Sequence, residues 1–410
     1  MSEKSKKAPY TVPIGPVHPA LKEPILFTFK MNGEKIEEVD FAPGKCHRGV
    51  EWMGMRRNPV QIVHLTDRIC GICGVHHTLA FARAVEQIAG IEVPERANYI
   101  RTIVAELERI QSHLLWAGVA AHELGFDTLF YLAWRVREES MDVIEYVTGN
   151  RVNYATVQVG GVRRDITEDQ YPRVEKMLKY YEDLIEKMLT LFLEDRTIQI
   201  RCRKSGVMTE REALELCTVG PTARASGLAM DVRYDMPYSA YGDVDFRLVL
   251  PRQYLGETNG DVYDRIIVRL LEIPESVSII RQCLDQMRPG EITWEPKVVK
   301  ILAACRKASG EAVGRVEAPR GECFHYVRMN AGDHPQTWKV KASTYSNQMS
   351  WLKMLKGEQI ADIPIVVASI DPCMSCTDRV AVVRDSGSPE ILTKEHLHRL
   401  SVEKSRRLAQ

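Results

Sequence analysis

Charge of one sign is missing from this sequence. Its 55 lysines and arginines balance 55 aspartates and glutamates, which removes the usual support for a nucleic-acid or acidic-lipid binder. Long apolar runs are missing too. The longest stretches, such as residues 114–121, fall far short of the ~20 residues that a membrane-spanning helix needs. The polar start, Met-Ser-Glu-Lys-Ser-Lys-Lys, is not followed by the apolar core of a secretory signal. Internal repeats and low-complexity tracts are absent as well. Ten cysteines without a signal peptide imply a reducing compartment, where metal binding or core packing is expected rather than a disulfide framework. What remains is a soluble, cytosolic chain that can dock on a membrane partner. Its 410 residues suffice for one large core or two closely packed ones.

The chain opens with a Pro/Gly-rich turn region over 13–19. Residues 25–41 alternate apolar and polar around Asn32-Gly33, which predicts a hairpin. The middle is helical. Ile103, Leu107, Ile110 and Leu114 recur at three- and four-residue steps and describe one buried stripe. A second helix is expected from about 128 to 147, with Asp127 as N-cap and Gly149 just past its end. Capping-box pairs Thr167…Gln170 and Thr209…Glu212 open two more, the latter ending near Gly220-Pro221. A long helix over 262–287 should be kinked or divided at Pro274. Periodicity assigns nothing firmly over 290–345. The β-branched run 363–370 reads as a buried strand, and a polar helix begins near Thr393.

Two Cys-x-x-Cys pairs stand out: Arg68-Ile-Cys70-Gly-Ile-Cys73-Gly-Val-His-His77 and Asp371-Pro-Cys373-Met-Ser-Cys376-Thr-Asp-Arg379. Each spacing lets two thiolates reach one metal, but about 300 residues separate the pairs, far more than in a zinc finger or ribbon. If they meet, the fold must bring its two ends together around one four-thiolate site. Four thiolates suit zinc, an iron–sulfur cluster or a redox metal such as nickel. The other six cysteines form no close pair, so packed thiols are expected, with no iron–sulfur cluster in this chain.

At these residues the sequence resembles the large, catalytic subunit of nickel–iron hydrogenases. Arg-x-Cys-Gly-x-Cys-x-x-x-His is met from Arg68 to His77, and Asp-Pro-Cys-x-x-Cys from Asp371 to Cys376. Gly15-Pro-Val-His-Pro19, Gly149-Asn-Arg-Val-Asn-Tyr154, Gly160-Gly-Val-Arg-Arg-Asp165, Gly220-Pro-Thr-Ala-Arg224, Gly260-Asp-Val-Tyr-Asp-Arg265 and Glu317-Ala-Pro-Arg-Gly-Glu322 look like the energy-converting, membrane-associated group. That group is related to the quinone-site subunit of respiratory complex I. The resemblance implies a mainly helical α+β fold: a central helix bundle, a small N-terminal β element, and chain ends converging on one metal site. It also implies a catalytic domain over 1–379 and a tail over 380–410 that is either a cleaved propeptide or a docking helix.

By the same resemblance, Cys70 and Cys373 are terminal ligands to nickel. Cys73 and Cys376 bridge it to an iron that carries carbon monoxide and cyanide. Hydrogen splits heterolytically there, Cys373 takes the proton, and Glu23 receives it next; the bland alternative for Glu23 is a solvated acid. Arg320 lies above the iron and Asp371 at the opposite side of the same canopy, against the alternatives of a salt bridge from Arg320 to Glu317 or Glu322 and a turn cap at Asp371. His77 hydrogen-bonds a bridging cysteine. Arg379 replaces a histidine that would help hold magnesium, so no magnesium is expected, and Glu51 should pair with Arg379. Electrons pass through a small subunit with a four-iron four-sulfur cluster. Further iron–sulfur and antiporter-like membrane subunits link it to ferredoxin and ion translocation on the cytoplasmic side of the membrane. Two rivals stand beside this reading: a complex I-like electron-transfer subunit with a quinone or sulfur-reducing cavity, kept open by His18 and Tyr10 near the first turn of the chain, and a scaffold held by structural zinc.

Overall fold

The computed structural model describes residues 9–377 and 394–408. It is mainly helical, with small antiparallel sheets. At its centre lies the helix Glu95–Glu123, packed against Asp127–Thr148 on one side and Val262–Gln286 on another. The stripe of Ile103, Leu107, Ile110 and Leu114 is fully buried. The opposite face is buried too, although it carries Arg101, Glu106, Glu108, Arg109 and His113. Those charges are matched inside. Glu106 accepts hydrogen bonds from Ser276 (2.6 Å), Arg109 (3.1 Å) and Arg233 (3.2 Å). Burial alone would raise the Glu106 carboxyl, but the Arg109 and Arg233 guanidinium groups hold it down at about 2.

The hairpin at Asn32-Gly33 forms between Leu26–Asn32 and Lys35–Ala42, with Tyr10–Ile14 as third strand. Phe27, Phe29 and Met31 point inward, and Phe27 meets Trp351 edge-on at 5.0 Å. The stretch that periodicity left open folds as a helix, Val298–Lys307, and an antiparallel sheet of Ser309–Ala318, Gly321–Asn330 and Thr337–Lys341. This sheet lies on the helix Gly74–Ala89 that follows the first cysteine pair.

Several expectations are corrected. Residues 363–370 are not a strand: Ile363–Ala368 is a helix with Pro364 in its first turn. A short apolar run cannot distinguish a buried strand from a buried helix, and proline is pre-set for a helix start. Asp127 is the first helical residue rather than the cap, which is Phe126, and its carboxylate meets His122 at 2.8 Å. The helix opened by Thr209 ends at Glu215, and a separate one, Gly220–Arg224, starts where the end was expected. Val262–Gln286 runs undivided through Pro274. Cys217 is exposed, not packed. The tail helix spans Lys394–Leu408, and its His398 ring stacks 6.1 Å from Trp52. Arg379 and the Thr393 start signal fall outside the described residues. Among those described, no helix is long and apolar enough to cross a membrane.

The contact between the Ser309–Ala318 strand and the Gly74–Ala89 helix depends on glycine. A Cβ at Gly314 would stand 1.9 Å from the Ala80 carbonyl oxygen, inside the helix backbone. Gly314→Ala should therefore cost about 3 kcal/mol by overpacking, read as a lowered denaturation midpoint. A variant as stable as the parent would mean that strand and helix are not in this close contact.

Candidate metal centre

Each cysteine pair sits on a turn beside a helix end. The first follows helix Pro59–Thr66, and Cys73 is the N-cap position of Gly74–Ala89. Gly74 is required there, because a Cβ would fall 2.7 Å from the Asp67 carbonyl oxygen. The helix start is capped from the central helix: Glu108 accepts the backbone N–H groups of Val75 (2.9 Å) and His76 (3.2 Å) and contacts His76 Nδ1 at 2.5 Å. Burial pushes Glu108 up and His76 down, which disfavours charge on either group. His76, given no role by sequence, thus belongs to the support of the loop.

The second pair follows helix Ile363–Ala368, whose last carbonyls accept from the indoles of Trp351 (to Val367, 3.2 Å) and Trp116 (to Ala368, 2.8 Å). Asp371 then takes a left-handed conformation, φ 54°. The Thr344 hydroxyl accepts the Cys373 N–H at 3.0 Å, and a 3₁₀ turn carries Met374–Cys376.

The two turns meet. The sulfurs of Cys70 and Cys373 are 3.3 Å apart, those of Cys373 and Cys376 3.2 Å, and those of Cys70, Cys73 and Cys376 lie within 4.8 Å of one another. All four cysteines are buried. Thiolates around one tetrahedral ion stand ~3.8 Å apart for ~2.3 Å bonds, so the cluster has the size and softness for a thiophilic metal centre. The proton balance points the same way. Hydrogen bonds from Cys373, Cys376 and Cys73 hold Cys70 well below the usual thiol range. Cys376, crowded by Cys373, Cys70 and Cys73, is pushed well above it. Four such groups cannot all ionise together unless a cation sits among them.

The other predicted residues surround this cluster. Pro319 and Arg320 form the two-residue tip of a hairpin in which Ala318 pairs with Gly321. Arg320 reaches the sulfurs of Cys73 at 3.8 Å and Cys70 at 3.9 Å, and its Nε lies 3.0 Å from Asp371 Oδ2. Its partner is thus Asp371, not Glu317 or Glu322. The tip is packed on Gly220, where a Cβ would stand 2.2 Å from Gly321 Cα. Asp371 also binds Lys22 at 3.1 Å. Burial opposes its charge, but the Arg320 and Lys22 cations keep it below the usual carboxylate range. Glu23 is half-buried. It accepts hydrogen bonds from the Met374 N–H, the Ser375 N–H (3.1 Å) and the Ser375 hydroxyl (2.7 Å), and lies 3.8 Å from the Cys373 sulfur. His77 Nε2 is 3.4 Å from the Cys376 sulfur. Burial lowers its ring to about 4, leaving it neutral at physiological pH.

Sequence reasoning missed Arg48. Its guanidinium donates to the carbonyls of Arg68 (3.0 Å) and Ile69 (2.6 Å) in the first turn and of Ser375 (3.1 Å) in the second, tying them together. Glu51 binds Lys339 at 2.7 Å and the Val340 N–H at 3.0 Å. His18 and Tyr10 are exposed.

The model for the respiratory-chain NADH dehydrogenase 49 kDa subunit matches residues 123–379, and that for nickel-dependent hydrogenase matches 48–117. The chain is 47% identical to the membrane-bound hydrogenase subunit alpha of Pyrococcus furiosus, over 98% of this chain and 95% of that protein. It is 39% identical to the carbon monoxide-induced hydrogenase of Rhodospirillum rubrum, over 90% and 99%. A chain of the membrane-bound sulfane sulfur reductase, an archaeal respiratory membrane complex, superposes with a TM-score of 0.84 at 31% identity, over 92% of this chain and all of that one. The chain therefore belongs to the family of nickel-dependent hydrogenase large subunits that it shares with the 49 kDa subunit of respiratory-chain NADH dehydrogenase.

Proposed function

We propose that this chain is the catalytic subunit of a membrane-associated, energy-converting nickel–iron hydrogenase that forms or oxidises hydrogen reversibly. The observation that carries this is the meeting of four buried cysteine sulfurs from opposite ends of the chain. Cys70 and Cys373 would hold nickel alone, and Cys73 and Cys376 would share it with iron. A nickel–iron centre with carbon monoxide and cyanide ligands supplies hydrogen binding and electron transfer. The protein's own residues handle the proton and the field. Cys373 accepts a proton on sulfur and passes it to Glu23, 3.8 Å away. Arg320, pinned by Asp371, places a fixed cation beside the centre, where anionic ligands are favoured. His77 supports Cys376 from the far side.

Electrons leave through a small subunit with a four-iron four-sulfur cluster and reach ferredoxin through further iron–sulfur subunits; antiporter-like membrane subunits couple the flow to ion translocation at the cytoplasmic face. The relatives' membrane-complex names support this setting. The family domain spans 1–379, and the tail is either removed on maturation or retained as a docking helix. A second reading is sulfur reduction at the same cluster, favoured by the likeness to the sulfane sulfur reductase.

Infrared spectroscopy of the anaerobically purified complex should find carbon monoxide and cyanide stretching bands that shift under hydrogen. Their absence from fully matured complex would favour the sulfur-reducing reading, and stoichiometric zinc without nickel would support a structural site. Cys376→Ser should abolish nickel and iron retention; a variant that keeps both metals refutes the bridging role. Glu23→Gln should keep the metals and slow hydrogen turnover by on the order of 10²-fold or more. Full activity in that variant excludes Glu23 as proton acceptor.

A further inference from the structure

Behind His77, away from the cysteine cluster, lies a polar file that the proposed function leaves unused. His77 Nδ1 is 3.0 Å from His325 Nε2 and 3.5 Å from the Cys323 sulfur. The Trp338 indole N–H donates to His325 Nδ1 at 3.2 Å. The alternation of the sheet places them. Cys323 and His325 point inward from Gly321–Asn330, and Trp338 points inward from the neighbouring strand, all toward the helix that carries His77. Trp338 and His325 are wholly buried and His77 almost so. Phe81 packs edge-on against His325 (6.4 Å) and Trp338 (5.6 Å), which restrains the rings from turning.

The hydrogens of this file are fixed by its far end. An indole N–H can only donate. His325 Nδ1 must therefore be the unprotonated nitrogen, and the neutral ring carries its hydrogen on Nε2. That hydrogen faces His77 Nδ1, which must accept. The Cys323 thiol, kept protonated by burial, is a second donor to the same nitrogen. His77 is left with its hydrogen on Nε2, directed at the Cys376 sulfur. We propose that Trp338 and His325 are positioning residues that lock the His77 tautomer, so that Cys376 receives a permanent N–H donor. This inference takes its consequence from the reading of Cys376 as a metal ligand, but its geometry does not depend on metal.

Two functional statements follow. A sulfur that accepts an N–H hydrogen bond is a weaker base, whereas the Cys373 sulfur faces the Glu23 carboxylate. The file thus gives Cys376 a fixed donor, whereas the neighbour of Cys373 is an acceptor. It is also a dead end for protons, because the indole cannot accept one from His325. His77, Cys323 and His325 are close enough to suggest a second metal site. The tautomer argues against it. A metal on His325 Nε2 would put the ring hydrogen on Nδ1, donor against donor at Trp338.

The test is long-range proton–nitrogen NMR on the full chain, labelled with ¹⁵N-histidine and purified without nickel. His77→Gln and His325→Gln assign the two rings. Both should show the hydrogen on Nε2 and an unprotonated Nδ1. Trp338→Phe, checked for parent-like thermal unfolding, should release His325 into a tautomer mixture. In matured complex the same variant should shift the carbon monoxide and cyanide bands. A hydrogen on Nδ1 of either ring in the parent chain overturns the proposal, as does a His325 tautomer unchanged by a folded Trp338→Phe. Should Trp338→Phe fail to fold, the parent spectrum decides alone. The spectrum needs no nickel, so failure here and failure of the hydrogenase reading are separable.

Discussion

Four sulfurs crowded inside the protein repel one another as soon as more than one is ionised, and the parts around the centre can be read as responses to that crowding. The cysteine turns are pulled together by groups that belong to neither. Arg48 donates to carbonyls of both. Lys22 and Glu23, adjacent in the N-terminal segment, bind Asp371 and the Ser375 turn respectively. Arg48 is the tie that spans both turns, while Lys22 and Glu23 hold the second one in place. The one low thiol, Cys70, is held down first by hydrogen bonds from Cys373, Cys376 and Cys73, with the Arg320 guanidinium 3.9 Å away adding a smaller pull.

The surroundings are not symmetric, and the asymmetry carries chemical meaning. Cys70 and Cys73 look toward a fixed cation on the hairpin tip. Cys376 looks toward a neutral imidazole, and Cys373 toward a carboxylate. Four chemically identical side chains thus acquire different proton affinities from their neighbours alone. A cation favours thiolate, an N–H donor weakens basicity, and a carboxylate offers an acceptor for any proton that arrives.

Much of this was legible in the chain itself, because function here depends on short contiguous motifs. The two cysteine turns could be named from local pattern, Arg320 and Asp371 from the family resemblance of their motifs, and the structure brings them together. The capping boxes at Thr167 and Thr209 and the hairpin at Gly33 were equally local. What escaped was set by tertiary packing. The 363–370 run is apolar enough for either conformation, and its burial under Trp116 and Trp351 is invisible to periodicity. Arg48 and Glu108 carry no motif of their own. His325 and Trp338 sit in a stretch with no firm period, and only strand pairing puts them behind His77.

The polar face of the central helix was the least expected feature, and it bears directly on the centre. Arg109 donates to the carbonyls of Glu317 (2.6 Å) and Ala318 (3.3 Å), the last residues before the tip that carries Arg320. Arg224 grips the Glu317 carboxylate at 2.8 Å and Glu272 at 2.7 Å, and Glu272 in turn binds His113 on the central helix. Buried ion pairs add little net stability compared with well-packed apolar side chains. What the charges add is direction: the hydrogen bonds from Arg109 to the Glu317 and Ala318 carbonyls hold the end of the strand in place. On this account the charged core is a register device. It aims the hairpin so that one guanidinium arrives between a carboxylate and two sulfurs.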